Sequence, residues 1–405
     1  MMAACAAGQC GASVLVLERN EQPGRKILIT GKGRCNLTND SDRATFLTQI
    51  PRNPKFLFSA FNHFFIEETK EFFESRGVPL KTERGRRVFP VSDRASDIRQ
   101  ALESACRKAG VSFARERVTG IRPVDDGTFE VDGPQGAIKG RTVVLATGGL
   151  SYPRTGSTGD GYRLARELGH TVTGLCPSLV PLVSADSRVR ELQGLSLRNV
   201  GLKIRDADQK TVYEDFGEML FTHFGLSGPI ILSASAHLPA SFGPGQYCAC
   251  LDLKPALDEK TLDARILRDF SAYANRDLEN GVADLLPSKM IPVLLDYAGL
   301  DPRKKVHEIT SEERRRLRLA LKDFRVRIDG TRPVEEAVIT RGGIDVRQVT
   351  PSTMESKRVK GLYFAGEILD VDAYTGGFNL QIAFSTGHLA GTSAALAARS
   401  GSLAQ

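Results

Sequence analysis

Apolar and polar residues alternate along the first 180 residues with two different periods. The run ASVLVLE within Ala12 to Asn20 is apolar and ends in an acid before a turn, which indicates a buried parallel strand. Helical spacing predicts helices over 56–77 and over 92–110, the second with a Ser or Asp cap and a Gly stop. RTVVLATGG at 141–149 predicts another buried parallel strand that enters a Gly-Gly turn. This alternation is typical of an α/β domain.

The pattern changes after Pro177. Short alternating runs between turn residues predict a small β-barrel or sandwich, and charged helical spacing then predicts a helical insertion. The chain ends with a predicted strand, a Gly-rich turn and a long helix, which must pack on the first domain because one such unit cannot bury its own sheet edge. The expected organisation is a nucleotide-binding domain over 1–179 and 346–405, a β-barrel over 180–255 and 326–345, and a helical insertion over 256–325.

The composition agrees with a multidomain globular protein. The chain has 405 residues, of which 41% are hydrophobic and 25% charged, and this length predicts two or three domains. It has no apolar run of membrane-spanning length, and its first residues lack the basic start of a signal peptide. Seven cysteines without a regular framework indicate reduced thiols and a cytoplasmic protein. Cys248 and Cys250 are expected on an ordinary strand, and no metal site is predicted.

The basic residues are unevenly distributed. The net charge of +7 is weak evidence for an anionic partner, but residues 303–327 contain RKK, RRR and four further cations. Such a segment is usually a solvated helix face, and it can also be a surface that binds phosphates.

The first twenty residues are typical of one half of a dinucleotide-binding βαβ unit. An Ala-rich helix precedes the strand at 12–20, and Glu18 lies at the tip of that strand, where an acid can accept hydrogen bonds from adenosine ribose hydroxyls. The alternative for Glu18 is an ordinary surface acid. The strand and the G-x-G-x-x-G loop that open such a unit do not precede this helix in the sequence.

The stretch PGRKILITGKGRCNLTN is a candidate phosphate-binding turn. Gly31 and Gly33 allow close approach of backbone amides to an anion. Positive charge is supplied by Arg25, Lys26, Lys32 and Arg34. An ordinary loop with solvating charges is the alternative. Thr147, Gly148 and Gly149 follow a parallel strand at the end where ligands bind in open α/β sheets, although a plain tight turn has the same sequence.

The segment 361–387 is the most informative. Glu367 follows Gly366 at the expected end of a strand and could bind polyol hydroxyls, and Asp370 comes shortly after. Gly376 and Gly377 then open a long helix, whose amides carry a partial positive charge that would stabilise a reduced flavin near N1 and O2. The alternative is a capped helix packed on a strand.

Together these stretches resemble one family. Glu18, GRKILITGKGRCNLTN, FPVSDRASDI, LATGG with SYPRTGSTGDGY, FTHFGLSGP and GEILDVDAYTGGFNLQIAFSTG are similar to the motif series of the BaiN/RdsA-like flavoproteins, FAD-dependent oxidoreductases of the aminoacetone-oxidase-like type. The resemblance covers nearly the whole chain. It implies a glutathione-reductase-type FAD domain interrupted by a β-barrel and a helical insertion, with FAD reduced by NADH or NADPH.

The resemblance also implies substrates and site residues. One branch of the family reduces uridine to dihydrouridine in large-subunit ribosomal RNA, and another reduces C=C bonds in steroid-like enones. An RNA partner would use the basic 303–327 segment, and no membrane partner is expected. The implied cofactor-binding residues are Glu18, Arg25, Lys26, Gly31, Gly33, Arg34, Cys35, Asn36, Val118, Thr147, Gly148, Gly149, Gly366, Glu367, Asp370, Gly376, Gly377, Asn379 and Leu380.

The chain departs from the family at its start, where family members have a strand and a GxGxxG loop that holds the FAD pyrophosphate. Residue 1 already lies inside the expected helix, and the two explanations are a start codon assigned too late, which we favour, and a real truncation. The chain as written is expected to bind FAD poorly and to expose a sheet edge.

The expected chemistry is hydride transfer from NAD(P)H to flavin N5 and on to an electron-poor alkene carbon, with an acid that protonates the adjacent carbon. Cys35 and His223 are the candidate acids. The alternatives are a packed small residue for Cys35 and a hydrogen-bonded core histidine for His223. Two other functions stay open: a small-molecule enone reductase or amine oxidase that uses FAD, and a non-catalytic flavin-binding protein.

Overall fold

The computed structural model describes residues 1–400 and divides them into two compact units. Unit 1 consists of Met1–Ser178 together with residues 334–400, and unit 2 is Leu179–Pro333. The described helices, α1 to α14 in chain order, are Met2–Gln9, Arg25–Ile29, Arg43–Thr48, Phe58–His63, Ile66–Glu74, Ala95–Lys108, Asp160–Glu167, Ser187–Glu191, Pro229–Ser235, Glu259–Ala272, Leu278–Gly281, Met290–Tyr297, Ser311–Lys322 and Phe378–Ser400.

The described strands are numbered in the same way. Strands β1 to β19 are Leu15–Glu18, Thr38–Asn39, Leu80–Glu83, Arg87–Pro90, Ser112–Arg115, Gly120–Pro123, Phe129–Gly133, Gly136–Gly140, Val143–Leu145, Cys176–Ser178, Leu182–Val183, Ser196–Asp206, Thr211–Phe221, Gly225–Ser227, Tyr247–Asp252, Phe324–Ile328, Gly330–Thr331, Ile339–Arg341 and Leu362–Phe364. None of the helices in residues 1–400 combines the length and apolar composition needed to span a bilayer.

Unit 1 contains the parallel strands that the sequence predicts. β1 pairs in parallel with β5, so that Glu18 lies opposite Arg115, and β9 pairs in parallel with β19. Two small antiparallel sheets, β2-β4-β3 and β6-β7-β8, and the pair β10-β18 complete the sheets described for this unit. Each of the runs at 12–20 and 141–149 thus forms a parallel strand, as predicted. The expected burial of the first run is wrong, because no residue of β1 is buried and Leu15 is 44% exposed.

The predicted helix over 56–77 is wrong in one respect, because it is two helices. α4 ends before Phe64, which has extended backbone angles, and α5 begins at Ile66. Phe64 is buried in one hydrophobic cluster while Phe65 packs against another, so the chain must turn between them.

The predicted helix over 92–110 is confirmed as α6, but its Ser or Asp cap is wrong. The residue before the helix is Arg94, which makes no side-chain cap. The nearby Asp93 is bound to Arg34 and Lys81, at 2.8 Å and 2.7 Å, and these contacts leave its carboxylate turned away from the helix start.

The C-terminal helix α14 packs within unit 1, as the sequence predicts, and it lies against the N-terminal helix α1. A Cβ atom added to Gly391 would lie only 2.0 Å from the carbonyl oxygen of Ala3. The two helix backbones therefore approach each other as closely as glycine allows. Gly387, one turn earlier on α14, has looser surroundings, since the nearest atoms to an added Cβ lie at 3.5 Å.

Unit 2 is built on one antiparallel sheet in the order β16-β15-β12-β13-β14-β11-β17. Asp329 alone separates β16 from β17, so one continuous segment pairs with β15 at one end of this order and with β11 at the other. Because β16 and β17 are consecutive parts of one segment, the strand order of this sheet begins and ends on the same segment, and the β-barrel that we expected stays a prediction. Cys248 and Cys250 both lie on β15, as expected.

The helices of unit 2 share a hydrophobic core with this sheet. Residues of β12, β13, β15 and β16 and residues of α10 to α13 belong to one continuous cluster of buried side chains. The insertion that the sequence predicts as helical is therefore packed on the sheet that surrounds it in the chain.

The contact between α1 and α14 gives a prediction about stability. We expect Gly391→Ala to lower the free energy of unfolding by about 1–3 kcal/mol, because its Cβ forces the backbone of Ala3 aside. Gly387→Ala, on the same helix and against the same partner, should be neutral or stabilise by up to about 1 kcal/mol through its higher helix propensity. Urea unfolding of both variants measures this, and equal effects would contradict the described packing.

Candidate functional site

The start of α14 packs very closely against β2. Gly376 and Gly377 precede the helix with φ of +133° and +99°. A Cβ on Gly377 would lie 2.3 Å from the carbonyl oxygen of Thr38 and 2.8 Å from Oδ1 of Asn36, so only glycine fits. The 23-residue helix presents the positive end of its dipole here. The prediction that the Gly-Gly pair opens a long helix is confirmed.

A buried polar atom faces this turn. Oδ1 of Asn36 is inaccessible to solvent and has no hydrogen-bond partner among the described residues. An unpaired buried acceptor costs about 1–3 kcal/mol, and a bound group that donates an N–H or O–H removes this cost. The chain thus presents backbone N–H donors and a side-chain acceptor close together at one helix start.

The other predicted residues at this helix shape it. Asn379 accepts a hydrogen bond from the amide of Ala373 at 2.9 Å and donates to the carbonyl of Ala373 at 2.7 Å, so its side chain holds the preceding loop. Leu380 packs against a hydrophobic cluster. Gln381, which sequence reasoning missed, is fully buried and accepts from Thr38 Oγ1 at 2.6 Å. These contacts fix the first turn of α14 against β2.

A second cluster surrounds Glu367. This residue lies in a short 3-10 turn after β19 and not at the end of the strand, so that part of the prediction is wrong. Its Oε1 accepts from Ser151 Oγ at 2.8 Å and from the amide of Thr340 at 2.9 Å, and its Oε2 accepts from Lys26 Nζ at 2.5 Å. The carboxylate is therefore held by two neutral donors and one cation. Gly366 begins the turn with φ of +76°.

The turn after β9 lies directly against this cluster. A Cβ on Gly149 would lie 2.8 Å from Glu367 Oε1, and Gly148 has φ of +74°. Thr147 is exposed, and its hydroxyl packs closely on Gly161 at the start of α7. The predicted residues 147–149 are thus brought together with Glu367 and Lys26.

The basic turn at 30–35 has an unusual backbone. Positive φ occurs at Gly31, Lys32, Gly33 and Cys35, so the chain winds tightly, and the amides of Arg34 and Cys35 donate to carbonyls within the turn. Arg34 is bound by Glu83 and Asp93 and lies over the ring of Phe89 at 4.3 Å, which anchors the turn to the β3–β4 hairpin. Its charge is therefore balanced by carboxylates of this chain.

Glu18 lies at the tip of β1, as predicted. Its Oε1 accepts from the amide and from Nδ2 of Asn20, at 2.9 Å and 2.8 Å, and its side chain is half-exposed. Arg25 is exposed, with Nη1 at 3.4 Å from Asn20 Oδ1. Val118 is half-buried and packs on the core of unit 1. The structure thus brings Glu18 and Arg25 together through Asn20.

Asp370 is half-buried after the Glu367 turn. Burial raises the pKa of Asp370 above its ordinary value, and a hydrogen bond from Thr173 partly opposes this. The neighbouring Asp372 is fully buried and accepts from Ser178 Oγ at 2.8 Å.

The two candidate acids have different surroundings. Cys35 is fully buried, and burial raises the pKa of its thiol to about 12, so that it holds its proton at neutral pH. His223 belongs to unit 2, where it is exposed on the turn between β13 and β14 and contacts the ring of Phe224 edge-on at 5.0 Å. The alternative of a core histidine is therefore wrong for His223, whereas the packed alternative describes Cys35 well.

The basic segment 303–327 is largely neutralised. Arg316 donates to the carbonyls of Ala298 and Gly299. Most cations of this segment are therefore paired with acids of this chain and not only solvated. The ion pairs are Lys304–Glu313, Lys305–Asp277, Arg314–Asp263, Arg315–Glu312, Arg318–Glu259, Arg318–Asp263, Lys322–Asp252, Arg325–Asp323 and Arg327–Asp329.

Sequence reasoning missed Ser151, Thr340 and Gln381 as partners of the predicted residues. Ser151 stands next to the predicted turn at 147–149, so its position was a usable signal. Thr340 reaches Glu367 from a remote strand, and nothing in its surrounding sequence indicates that contact.

Comparisons with known proteins identify the family of this chain. The family described as "HI0933-like protein Rossmann domain" matches residues 1–393. The ribosomal RNA dihydrouridine synthase of Escherichia coli strain K12 is 32% identical over 389 residues, which cover 95% of this chain and 93% of that protein. The 3-dehydro-bile acid delta(4,6)-reductase of Clostridium scindens is 31% identical over 403 residues, with the same coverage of each chain.

A solved structure supports the fold. The quinol-fumarate reductase with menaquinol molecules is 16% identical, with a TM-score of 0.50 over 99% of this chain and 69% of that one. The shared fold is a mixed α/β oxidoreductase fold. On the family match and on the identity to the two relatives, this chain belongs to the HI0933-like family of FAD-dependent flavoprotein oxidoreductases.

Proposed function

We propose that this chain reduces an activated C=C bond with electrons from NADH or NADPH that pass through FAD, and that its substrate is uridine in large-subunit ribosomal RNA. The observation that carries the FAD part is the unpaired Oδ1 of Asn36 beside the Gly376–Gly377 turn. The pyrimidine edge of a flavin has an N–H donor next to carbonyl acceptors. This pattern complements one buried acceptor beside a row of amide donors.

The residues present fit the rest of FAD as well. Bound FAD would supply a hydride carrier at N5. The positive end of α14 would stabilise negative charge at the pyrimidine edge, and Glu18 would accept from the adenosine ribose. The tight, basic turn at 30–35 would approach phosphate oxygens. The ion pair of Lys26 with Glu367 would orient the Gly148–Gly149 turn along the flavin, through the contacts already described.

The chain must also deliver a proton to the substrate carbon next to the one that accepts hydride. Cys35 is buried and stays protonated at neutral pH, so its thiol can donate a proton to the strongly basic enolate carbon that hydride addition leaves. We therefore keep both Cys35 and His223 as proposed acids. The ring of His223 is exposed on unit 2.

Two observations bear on the substrate. The chain has 55 basic and 48 acidic residues, and this excess favours a polyanionic substrate such as RNA. The second candidate is a small-molecule enone reductase, which the bile acid reductase favours because it is almost as similar to this chain as the RNA-modifying relative is. Both substrates have a C=C bond conjugated to a carbonyl, so one flavin site serves either.

The substrate is tested by reoxidation of the flavin. The FAD-loaded protein is reduced with NADPH without oxygen and then mixed with naked large-subunit ribosomal RNA or with a steroid enone. We expect the RNA to restore the oxidised absorption and to contain dihydrouridine by mass spectrometry of its nucleosides. Reoxidation by the steroid enone but not by the RNA would indicate that the protein is a small-molecule enone reductase. Failure of both NADPH and NADH to bleach the FAD would remove the reductase function and support a non-catalytic flavin protein or an oxidase.

Asn36 gives a second prediction. We expect Asn36→Ala to weaken FAD binding about tenfold, which corresponds to roughly 1.4 kcal/mol, the upper range for one hydrogen bond. The FAD-free variant should be at least as stable as the parent, because an unpaired buried oxygen has been removed. Fluorescence titration with FAD and urea unfolding measure the two effects. Asn280→Ala, at an exposed position on α11, is the control, and equal FAD affinity in all three proteins would contradict the proposed contact.

The packed role of Cys35 predicts a pH dependence of stability. The unfolded thiol ionises near pH 9.0, whereas burial keeps the native thiol protonated to about pH 12. The stabilisation from Cys35 is therefore full below pH 9.0 and is lost as the pH rises between these values, by at most about 1.4 kcal/mol per pH unit.

This is measured by urea unfolding of the parent and Cys35→Ala at increasing pH. The difference in unfolding free energy should shrink above pH 9.0. Cys10→Ala, at the half-buried end of α1, is the comparison variant. A difference that stays constant with pH would mean that the native Cys35 ionises like an exposed thiol and is open to solvent.

A further inference from the structure

A β-hairpin of unit 1 has three arginines at or directly beside its tip. β3 and β4 pair in register up to Glu83 opposite Arg87, so the tip consists of residues 84–86. Gly85 and Arg86 have φ of +78° and +58°, which makes the turn tight. Arg84, Arg86 and Arg87 are all exposed.

These three cations lack the close acidic partners found along 303–327. In the part of the chain that the structure describes, no carboxylate lies within ion-pair distance of Arg84 or Arg87. The nearest acid to Arg86 is Asp42 at 3.9 Å, and both of these side chains are 62% exposed. Nε of Arg87 donates to the carbonyl of Arg84 at 3.0 Å, which orients its guanidinium. Most of the positive charge of the tip is therefore available to an external anion.

The tip is fixed next to the start of α14. Asn39 is buried, and its Nδ2 donates to the carbonyls of Gly85 and Gly376, each at 3.0 Å. The amide of Asp40 donates to the carbonyl of Arg86 at 2.7 Å. One side-chain amide therefore joins the hairpin tip to the turn where we place the pyrimidine edge of the flavin.

We propose that Arg84, Arg86 and Arg87 bind the phosphate backbone of single-stranded RNA on either side of the uridine that is reduced. This inference rests on the proposed function. Three exposed guanidiniums match a chain of several phosphates, because arginine binds phosphate oxygens through two parallel hydrogen bonds. A single-stranded segment is required because the face of a uracil is accessible to a flavin only outside the base stack.

The test is RNA binding by the FAD-loaded protein at increasing salt concentration. The probe is a fluorescein-labelled single-stranded oligouridylate, followed by anisotropy. Each phosphate contact contributes about 0.7 to the slope of log K against log salt for single strands, so R84Q/R86Q/R87Q should lower that slope by about 2. R84K/R86K/R87K keeps the charges and should retain most of the slope.

The control variant is R315Q/R325Q/R327Q, which removes equal charge from the segment 303–327. We expect its slope to change little, because these arginines are paired with Glu312, Asp323 and Asp329. Circular dichroism and the visible spectrum of FAD confirm that each variant is folded. An unchanged slope in R84Q/R86Q/R87Q, or an equal loss in the control variant, would overturn the proposal.

Two further outcomes of these experiments lead to different conclusions. If R84Q/R86Q/R87Q changes the KM for NADPH and leaves RNA binding intact, the tip recognises the 2′-phosphate of NADPH, and the RNA proposal is overturned. Dihydrouridine formation is measured separately from binding. Parent protein that binds oligouridylate through the tip but forms no dihydrouridine in ribosomal RNA would contradict the proposed function and leave the binding surface supported.

Discussion

The site in unit 1 depends on one close approach, that of Gly377 to the carbonyl of Thr38. This contact places the positive end of α14 against β2, and β2 pairs with β4 of the arginine hairpin. The far end of the same helix lies against α1 at Gly391. A single long helix therefore connects the proposed flavin turn, the arginine hairpin and the N-terminal segment, and any side chain at Gly377 would displace all of them.

Much of this arrangement could be predicted because it is encoded in short segments. The apolar runs at β1 and β9 become parallel strands, and the Gly-Gly pair opens α14, since apolar period and glycine spacing are local signals. The partners of Glu367 could not be predicted. Thr340 and Lys26 come from distant parts of the chain, and only the folded backbone decides which of many donors reaches one carboxylate. The break between α4 and α5 likewise depends on two cores that the sequence does not separate.

Charge density was the least reliable sequence signal. The segment 303–327 has the highest concentration of basic residues, yet acids from other elements, among them Asp252, Asp263 and Asp277, neutralise much of it. The hairpin at 84–87 has only three cations, and its sequence alone does not indicate a binding surface. Its charge is available because the nearby acids Glu83 and Asp93 are bound to Arg34 and Lys81. Availability of charge is therefore a property of the fold, whereas charge density is a property of the sequence.

The central claim is that the start of α14 and Asn36 hold the pyrimidine edge of FAD. A crystal structure of the FAD-loaded protein tests it most directly. We predict that the flavin N–H donates to Oδ1 of Asn36 and that backbone amides at the first turn of α14 donate to the carbonyl and nitrogen acceptors of the same edge. A flavin ring bound elsewhere, with Oδ1 of Asn36 still unpaired or bound only to water, would contradict the account.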